Sequence, residues 1–229
     1  MKTKIGIVGY GRMGHALAER LIDYYDVFAC DIREDIREEA AIKLVDAKSL
    51  FSLCKYILLC VNSKDIEYVV EENKEYCKEG TYLINIATDY PTKKLREMVS
   101  NIIETKVVTA KIMGQYLAIE RRMPVVVVTD EIENDMFSVV QSVFSRFATV
   151  IKGDSNAVKR INYEITKRAV CMLLEGYNYC EMQGMTKEIY EIVVKAIATG
   201  TIEEFEQNTD NNYIKSIMEE IRNGEKNEG

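Results

Sequence analysis

KIGIVGYGRMGHALAERLI, residues 4–22, is the stretch of sequence that decides the fold. Its apolar run from Ile5 to Val8 predicts a buried strand, which stops at a G-x-G-x-x-G pattern, Gly9 to Gly14. Apolar residues at helical spacing then mark the inner face of a helix. They are Ala16, Leu17, Leu21 and Ile22. A strand, a glycine loop and a helix in this order predict a site for a diphosphate.

Each glycine of this loop has a separate mechanical task. Gly9 permits the tight turn, Gly11 lets the backbone approach a diphosphate, and Gly14 lets helix and strand pack closely. The N-terminus of the helix adds N–H groups and a partial positive charge. A lone G-x-G-x-x-G is a weak signal, so the rest of the sequence has to support it. Cofactor contacts are expected along the whole loop, at Gly9, Tyr10, Gly11, Arg12, Met13 and Gly14.

An acidic residue after the second predicted strand supports the same site. That strand covers residues 26–30, and Asp31 follows it directly. A carboxylate at this place binds the ribose hydroxyls of adenosine and favours NAD over NADP. The simpler alternative is a surface carboxylate at a strand end. Arg33 can stack on adenine or bind the 2′-phosphate of NADP, so NAD is the expected cofactor and NADP the alternative.

Length and charge exclude several classes of function. A chain of 229 residues suits one large domain and a small one. The formal net charge is −7, without a block of Lys or Arg, which argues against nucleic acid as a partner. No uncharged run approaches the ~18 apolar residues of a membrane span, so no membrane partner is expected.

The cysteines and the single histidine narrow the chemistry. Six cysteines occur without a C-x-x-C, several of them in apolar segments, which predicts reduced thiols in a cytoplasmic protein. Glycines and Arg12 interrupt the apolar start, which is unlike a signal peptide. One histidine argues against a histidine-ligated metal site or a histidine-based triad, and we expect no metal.

Apolar runs alternate with amphipathic segments through residues 1–153, which indicates a right-handed parallel α/β sheet. A helix is predicted at 34–45. Further strands are predicted at residues 56–61, 82–86, 106–113, 125–128 and 149–151. The expected fold class is α/β, with a Rossmann-type, doubly wound and mostly parallel sheet that forms a dinucleotide-binding domain over residues 1–153.

Residues 154–229 change character and predict a small all-helical domain. One long helix is expected over 155–183, and a second from Thr186 to Gly200. Thr201 and Glu204 form a capping box for a short third helix. A fourth helix is expected over 211–222.

The apolar stripe of the long helix includes Val158, Ile161 and Ile165, which we expect to lie in a core. A domain this thin buries little surface by itself. We therefore expect the helical domain to complete a substrate site and to form a homodimer.

Several stretches together resemble the 6-phosphogluconate dehydrogenase-like oxidoreductases. This superfamily includes the 3-hydroxyisobutyrate dehydrogenases and, more distantly, pyrroline-5-carboxylate reductase and the coenzyme-F420-dependent NADP reductases. Residues 9–14 are similar to the G-x-G-x-M-G of that group. Residues 60–62 and 80–88, the latter followed by Pro91, resemble two further strand ends. The resemblance implies an NAD(P) site in which Val61, Asn62 and Thr88 contact the cofactor.

The long helix carries the closest parallel to the hydroxyacid dehydrogenases. Their pattern of a lysine, an asparagine three residues later, an acidic residue and a final glycine is similar to Lys159, Asn162, Glu175 and Gly184. The resemblance implies that Lys159 transfers a proton to or from the substrate oxygen while Asn162 holds that oxygen. The alternative is a solvated lysine and a helix-surface asparagine.

The substrate motif departs from the family. Its D-A-P-V-S-G-G corresponds to residues 109–115, where Met113 replaces the serine and Gln115 the second glycine. The resemblance therefore does not imply which small molecule is the substrate. Candidates to bind an anionic substrate are Lys111, Tyr116, Arg121 and Arg122, for which surface charge is the alternative.

Three functions follow from these observations. The first is a NAD(P)-dependent dehydrogenase or reductase that transfers a hydride between nicotinamide and a small C–O or C=N substrate. The second is a catalytically inactive dinucleotide-binding sensor or assembly protein, motivated by the altered motif around Met113. The third is an S-adenosylmethionine site, because a ribose-binding carboxylate suits that ligand as well.

Overall fold

A six-stranded parallel sheet forms the centre of the first part of the chain in this computed structural model, which describes residues 2–33, 41–102, 105–131, 133–206 and 211–227. Its strands are β1 (Lys4–Val8), β2 (Asp26–Cys30), β3 (Ile42–Leu44), β4 (Tyr56–Leu59), β5 (Tyr82–Asn85) and β6 (Lys106–Thr109). Their spatial order is β3-β2-β1-β4-β5-β6, and every neighbouring pair is parallel. This is the strand order of a Rossmann sheet, and it confirms the predicted fold class.

Helices cover both faces of this sheet. They are α1 (Arg12–Leu21), α2 (Ala47–Leu53), α3 (Ile66–Asn73), α4 (Thr92–Met98), α5 (Tyr116–Glu120) and α6 (Asn134–Phe144), with a short 3-10 turn at Lys74–Tyr76. One apolar core joins the sheet to α1, α5 and α6, and a second joins it to α2, α3 and α4. Ile7 lies in the first core and Val8 in the second, because alternate side chains of β1 point to opposite faces. The sheet is therefore doubly wound.

A second sheet of three strands follows, made of β7 (Lys111–Met113), β8 (Val125–Thr129) and β9 (Ala148–Lys152). The pair β7–β8 is antiparallel and β8–β9 is parallel. The single strand predicted over 106–113 is therefore wrong, because the chain leaves the first sheet at Ala110. The amide of Ala110 still donates to Asn85, 3.1 Å away, whereas Lys111 is already paired with Val128.

Two helix predictions also need correction. Residues 42–44 form β3 instead of helix, because the buried Ile42 pairs in register with Val27 of β2; residues 34–40 lie outside the described part of the chain. The separate third helix from Thr201 does not exist. Helix α8 (Lys187–Glu206) runs through Gly200, and the hydroxyl of Thr201 donates to Ile197, 2.8 Å away, instead of capping a new helix.

The C-terminal part is helical, with α7 (Ser155–Met182), α8 and α9 (Asn212–Asn227). The chain divides into two compact units, residues 1–163 and 164–229. The domain boundary at 153 stays a prediction. Among the described residues of the second unit, only Tyr190 is buried. No helix in the described ranges has both the length and the hydropathy to cross a membrane.

The expected core stripe of α7 is buried at only one of its three positions. Val158 is 1% exposed, whereas Ile161 is 43% and Ile165 64% exposed. The helical spacing was predicted correctly, but the described residues leave most of the stripe exposed. It belongs to a larger set of exposed apolar side chains along the C-terminal helices.

Candidate cofactor site

A cleft of about 1040 Å³ lies at the carboxyl ends of β1, β2 and β4. This is the edge at which open parallel sheets bind their ligands. Predicted cofactor residues that line the cleft are Gly9, Gly11, Arg12, Met13, Asp31, Arg33, Val61 and Asn62. The opposite wall comes from the segment before and at the start of α5, namely Gly114, Gln115 and Tyr116.

The three glycines of the loop differ in what surrounds them. Gly9 has a φ of 93°, and a Cβ there would lie 2.9 Å from the carbonyl group of Cys60. A Cβ on Gly14 would collide with the carbonyl oxygen of Gly9, well inside the 3.0 Å that real Cβ atoms keep. A Cβ on Gly11 would meet no described atom within 4 Å. The fold therefore requires glycine at positions 9 and 14, where a side chain does not fit. At Gly11 the missing side chain leaves space in the cleft.

Helix α1 begins in this open space. Gly11 is its N-cap and has no side chain, and the first turn contains no acidic residue. The amides of the first turn are therefore available for an anion, and the helix dipole favours negative charge there. The guanidinium of Arg12 stacks on the ring of Tyr116, 5.0 Å from its centroid, across the cleft. These features fit the diphosphate of a dinucleotide.

Asp31 occupies the carboxyl end of β2, and both of its carboxylate oxygens accept hydrogen bonds. The amide of Tyr10 donates to Oδ2 at 2.8 Å, and the amide and Nε of Arg33 donate to Oδ1, each at 3.0 Å. Arg33 also donates through Nη2 to Oδ2 at 3.1 Å and to the carbonyl of Tyr10 at 2.9 Å. Burial raises the pKa of Asp31, but the bonds from Arg33 and Tyr10 outweigh it and hold the pKa below its ordinary value. The carboxylate is therefore ionised and oriented.

Tyr10, Gly14 and Thr88 are not among the described residues that line the cleft. Tyr10 acts through its backbone on Asp31 and Arg33, and Gly14 is buried under the loop. Thr88 lies half-buried in the loop after β5, at the same edge of the sheet as the end of β4, because these strands are parallel neighbours.

The loop that contains Thr88 is held by side chains on both sides. Lys111 donates through Nζ to the carbonyl of Ala87 and to that of Tyr90, the latter at 3.1 Å. The amide side chain of Asn85 also donates to Tyr90 at 2.9 Å. On the exposed side, Lys159 pairs with Asp89 at 3.0 Å. Thr88 thus lies between two lysine-bound neighbours.

Lys111 is named in the sequence analysis as a candidate to bind an anion, but its burial is not predicted there. It is 3% exposed, so the interpretation as a surface charge is wrong. Burial lowers the pKa of Lys111 to about 7, against smaller opposite effects of Asp130 and Asp89. A usable signal was present, because a lysine between Ala110 and Ile112 interrupts an apolar run that predicts a buried strand.

The two catalytic candidates face the same region. Lys159 is exposed, and its partner is Asp89. Asn162 donates through Nδ2 to the carbonyl of Ile112 at 3.0 Å, next to Lys111. The structure therefore brings Lys159 and Asn162 to the β5 loop and to β7. Neither lines the cleft among the described residues.

Residues 4–89 match the family model described as NADP oxidoreductase, coenzyme F420-dependent. The predicted resemblance to NAD(P)-dependent oxidoreductases is confirmed. The match covers β1 to β5 and the loop with Thr88, and therefore the glycine loop and Asp31. A comparison with curated protein sequences finds no significant match.

Solved structures share the fold at low sequence identity. Pyrroline carboxylate reductase of Plasmodium falciparum, with NADP bound, has a TM-score of 0.71 and 16% identity over 96% of this chain and 84% of that one. An imine reductase variant from Myxococcus stipitatus, in complex with NAD+, has 0.62 and 15% over 93% and 80%. The 3-hydroxyisobutyrate dehydrogenase of Mycobacterium tuberculosis has 0.62 and 14% over 85% and 71%. These likenesses show the fold.

Proposed function

We propose that this chain is a NAD(P)-dependent oxidoreductase that transfers a hydride between nicotinamide and a carbon of a small C–O or C=N substrate. The observation that carries the proposal is the open space at Gly11, at the start of α1, in one cleft with the ionised Asp31. The matched family and the fold neighbours support it, because they are NAD(P)-dependent oxidoreductases.

Each part of the cofactor has a counterpart in the site. The first turn of α1 and the backbone at Gly11 would hold the diphosphate, and Asp31 would accept hydrogen bonds from the adenosine ribose. Val61, Asn62 and Thr88 would lie toward the nicotinamide. The bound cofactor supplies or accepts the hydride, and the protein orients it and excludes competing reactions.

The preference between NAD and NADP is decided at one ion pair. Asp31 favours the ribose diol of NAD, while Arg33 is the group that can bind a 2′-phosphate. The side chain of Arg33 is 54% exposed and forms an ion pair with Asp31 in this structure. We propose NAD as the main cofactor, with NADP accepted when Arg33 turns from Asp31 to the phosphate.

Proton transfer is proposed for Lys159, with Asn162 beside it on the same face of α7. The pair Lys159–Asp89 keeps the ammonium group next to the loop with Thr88. A hydroxyacid substrate needs such a group, since its oxygen gains or loses a proton during hydride transfer. A cyclic imine needs it less, because an iminium is already electrophilic.

The test is turnover of NADH and NADPH with a panel of 3-oxo acids and cyclic imines, and of NAD+ and NADP+ with 3-hydroxy acids. Lys159→Ala is expected to lose turnover on hydroxy and oxo acids while keeping cofactor affinity. Lys167→Ala, an exposed lysine of the same helix, is the matched control. Unchanged turnover in Lys159→Ala would contradict its catalytic role.

One observation favours the inactive dinucleotide-binding protein as the alternative. Lys159 pairs with Asp89, and Asn162 donates to the carbonyl of Ile112. Contacts of this kind are also made by side chains that stabilise a structure and take no part in a reaction. The alternative predicts tight binding of NADH and no turnover with any substrate of the panel. The same assay therefore separates the two functions.

We propose a homodimer formed through the helical unit. Large apolar side chains that are more than half exposed occur on all three of its helices; they include Leu174, Tyr179, Met182, Ile192, Ile197, Phe205 and Tyr213. Exposed apolar surface on this scale marks an interface, and a two-fold dimer covers identical surfaces with each other. A cytoplasmic location stays part of the proposal.

Light scattering after gel filtration tests the dimer. Ile192→Glu on α8 is expected to shift the chain toward the monomer, because it buries a charge in the interface. Lys195→Glu on the same helix, also exposed, is the control for charge alone. A monomeric wild type would contradict the proposal.

A further inference from the structure

Two buried side chains hold the loop from Ala87 to Tyr90: Lys111, and Asn85, whose amide donates to the carbonyl of Tyr90 at 2.9 Å. Lys111 extends from β7 and donates to the carbonyl groups at both ends of this loop. The loop residues themselves add one weak bond, from the amide of Tyr90 to the carbonyl of Ala87, at 3.4 Å. Its conformation therefore depends on these two side chains more than on its own backbone.

Holding two carbonyl groups with a buried lysine costs free energy, because the charge is removed from water. An ammonium group loses its hydration on burial, and a neutral side chain of similar volume would pack there at lower cost. Groups with a pKa that burial has shifted strongly occur preferentially at functional sites. The neighbouring residues of β7, Ile112 and Met113, are apolar, as expected of a strand in this place.

The charged groups that face Lys111 come from two elements. Asp89 lies in the loop after β5, and Asp130 follows β8; both favour the protonated form. Each carboxylate is also engaged elsewhere, Asp89 with Lys159 of α7 and Asp130 with the hydroxyl of Ser155, which donates at 2.9 Å. Neither makes a direct ion pair with Lys111 among the described contacts. The lysine is thus weakly compensated.

We propose that Lys111 is the positioning residue for the nicotinamide end of the site: its ammonium group fixes Ala87 and Tyr90, so sets Thr88 between them, and this hold weakens when the group loses its proton. The inference rests on the proposed function, because it assumes that nicotinamide binds beside Thr88. The pKa of Lys111 near neutrality puts the change within the ordinary pH range.

The proposal predicts that Lys111 affects the binding of the nicotinamide part of the cofactor and leaves the binding of the adenosine-diphosphate part unchanged. Adenosine and diphosphate contacts lie at the glycine loop and Asp31, which Lys111 does not touch. The nicotinamide contribution is measured as the ratio of the dissociation constants of ADP-ribose and NADH. We expect this ratio to fall about tenfold between pH 6 and pH 9, as a charge-assisted bond weakens to a neutral one.

The experiment compares wild type, Lys111→Met and Lys78→Met by calorimetry at pH 6, 7, 8 and 9. Lys78 is an exposed lysine before β5 and serves as the control. Lys111→Met should show the low ratio at every pH, with ADP-ribose affinity unchanged. Lys78→Met should follow the wild type. A pH-independent ratio in the wild type, or a normal ratio in Lys111→Met, would overturn the inference.

A second measurement keeps the inference testable without any cofactor. Hydrogen exchange of peptides covering residues 86–92 is expected to be faster in Lys111→Met than in wild type at pH 6, and this difference is expected to be smaller at pH 9, where the neutral amine makes weaker bonds. Equal exchange at pH 6 would overturn the positioning role. Failure of the proposed function would appear differently, as an absence of ADP-ribose binding in all three proteins while the difference in exchange persists.

Discussion

We propose an adenosine end and a nicotinamide end for the cofactor site, and these two ends are built in opposite ways. The adenosine end consists mainly of backbone, with glycines close together in sequence and one carboxylate after the next strand. The nicotinamide end consists of side chains from distant parts of the chain, with Lys111 and Lys159 on either side of the loop around Thr88. Backbone sites demand particular residue types at fixed spacing, whereas side-chain sites do not. The first kind therefore leaves one compact motif in the sequence, whereas the residues of the second kind are spread along the chain.

The charges at the two ends also differ. Asp31 has four hydrogen-bond donations to its two oxygens and is ionised at neutral pH. Lys111 is buried against backbone carbonyls, and its charge is lost near neutrality. We therefore expect the adenosine end to be insensitive to pH between 6 and 9, and the nicotinamide end to respond to it.

The largest effect is expected from Gly14→Ala, at the adenosine end. The new Cβ collides with the carbonyl oxygen of Gly9, which is backbone and cannot move aside. We expect a loss of about 4 kcal/mol or more of unfolding free energy, measured by urea denaturation. A loss below about 1 kcal/mol would show that the helix and the strand do not pack as closely as the structure indicates.

Lys111→Met should have the next largest effect, and its sign depends on pH. The folded pKa of about 7 lies below the unfolded value of 10.5, so the unfolded chain binds more protons between these values and wild-type stability rises with pH. Relative to the variant, wild type should gain about 3 kcal/mol from pH 7 to pH 10. Urea denaturation across this range measures the difference, and a constant difference would contradict the buried, neutral lysine.

These two positions illustrate what the sequence could predict. Gly14 was predicted in its mechanical role, because the loop geometry admits no side chain there. Lys111 is a candidate to bind an anion from its sequence, but its burial could not be predicted, because that depends on β7 leaving the first sheet at Ala110 and pairing with β8. The apolar run around Lys111 is a signal of burial, but no local pattern predicts the change of sheet. For the same reason residues 106–113 appeared as one strand.

The helical unit shows the same limit. The periodicity of α7 predicted its ends to within a residue, since helix length depends on local pattern. Which face is covered depends on other surfaces, and Ile165 is 64% exposed in the single chain. Gly200 looked like a helix end, but one glycine costs only ~1 kcal/mol and the helix continues through it.

Arg33→Gln, at the adenosine end, should have a moderate effect on the preference between NADPH and NADH. It removes the guanidinium that can bind a 2′-phosphate and leaves Asp31 for the ribose. Affinity for NADPH is expected to fall about tenfold, whereas affinity for NADH stays the same or improves slightly. Fluorescence titration measures both, with Arg121→Gln, an exposed arginine of the same domain, as control. Equal loss for both cofactors would contradict the assignment of Arg33.

The smallest effect on stability is expected from Lys159→Ala. Its ion pair with Asp89 is exposed on both sides, 63% and 52%, so solvent screens it. We expect a change of about 0.5 kcal/mol or less in thermal or urea unfolding. Lys94→Ala, which removes another exposed pair, with Glu67, should give a similar value. A loss above about 2 kcal/mol would make Lys159 a structural residue.

Binding of NADH to wild type and to Gly11→Val tests the central claim most directly. The backbone of Gly11 has a φ of −83° that valine adopts, and a Cβ there meets no described atom within 4 Å, so the fold should lose only ~1 kcal/mol at the N-cap. The added side chain would fill the space that we propose for the diphosphate. The account predicts saturable binding to wild type and at least ~100-fold weaker binding to the folded variant. Equal affinities, or no binding to wild type, would contradict it.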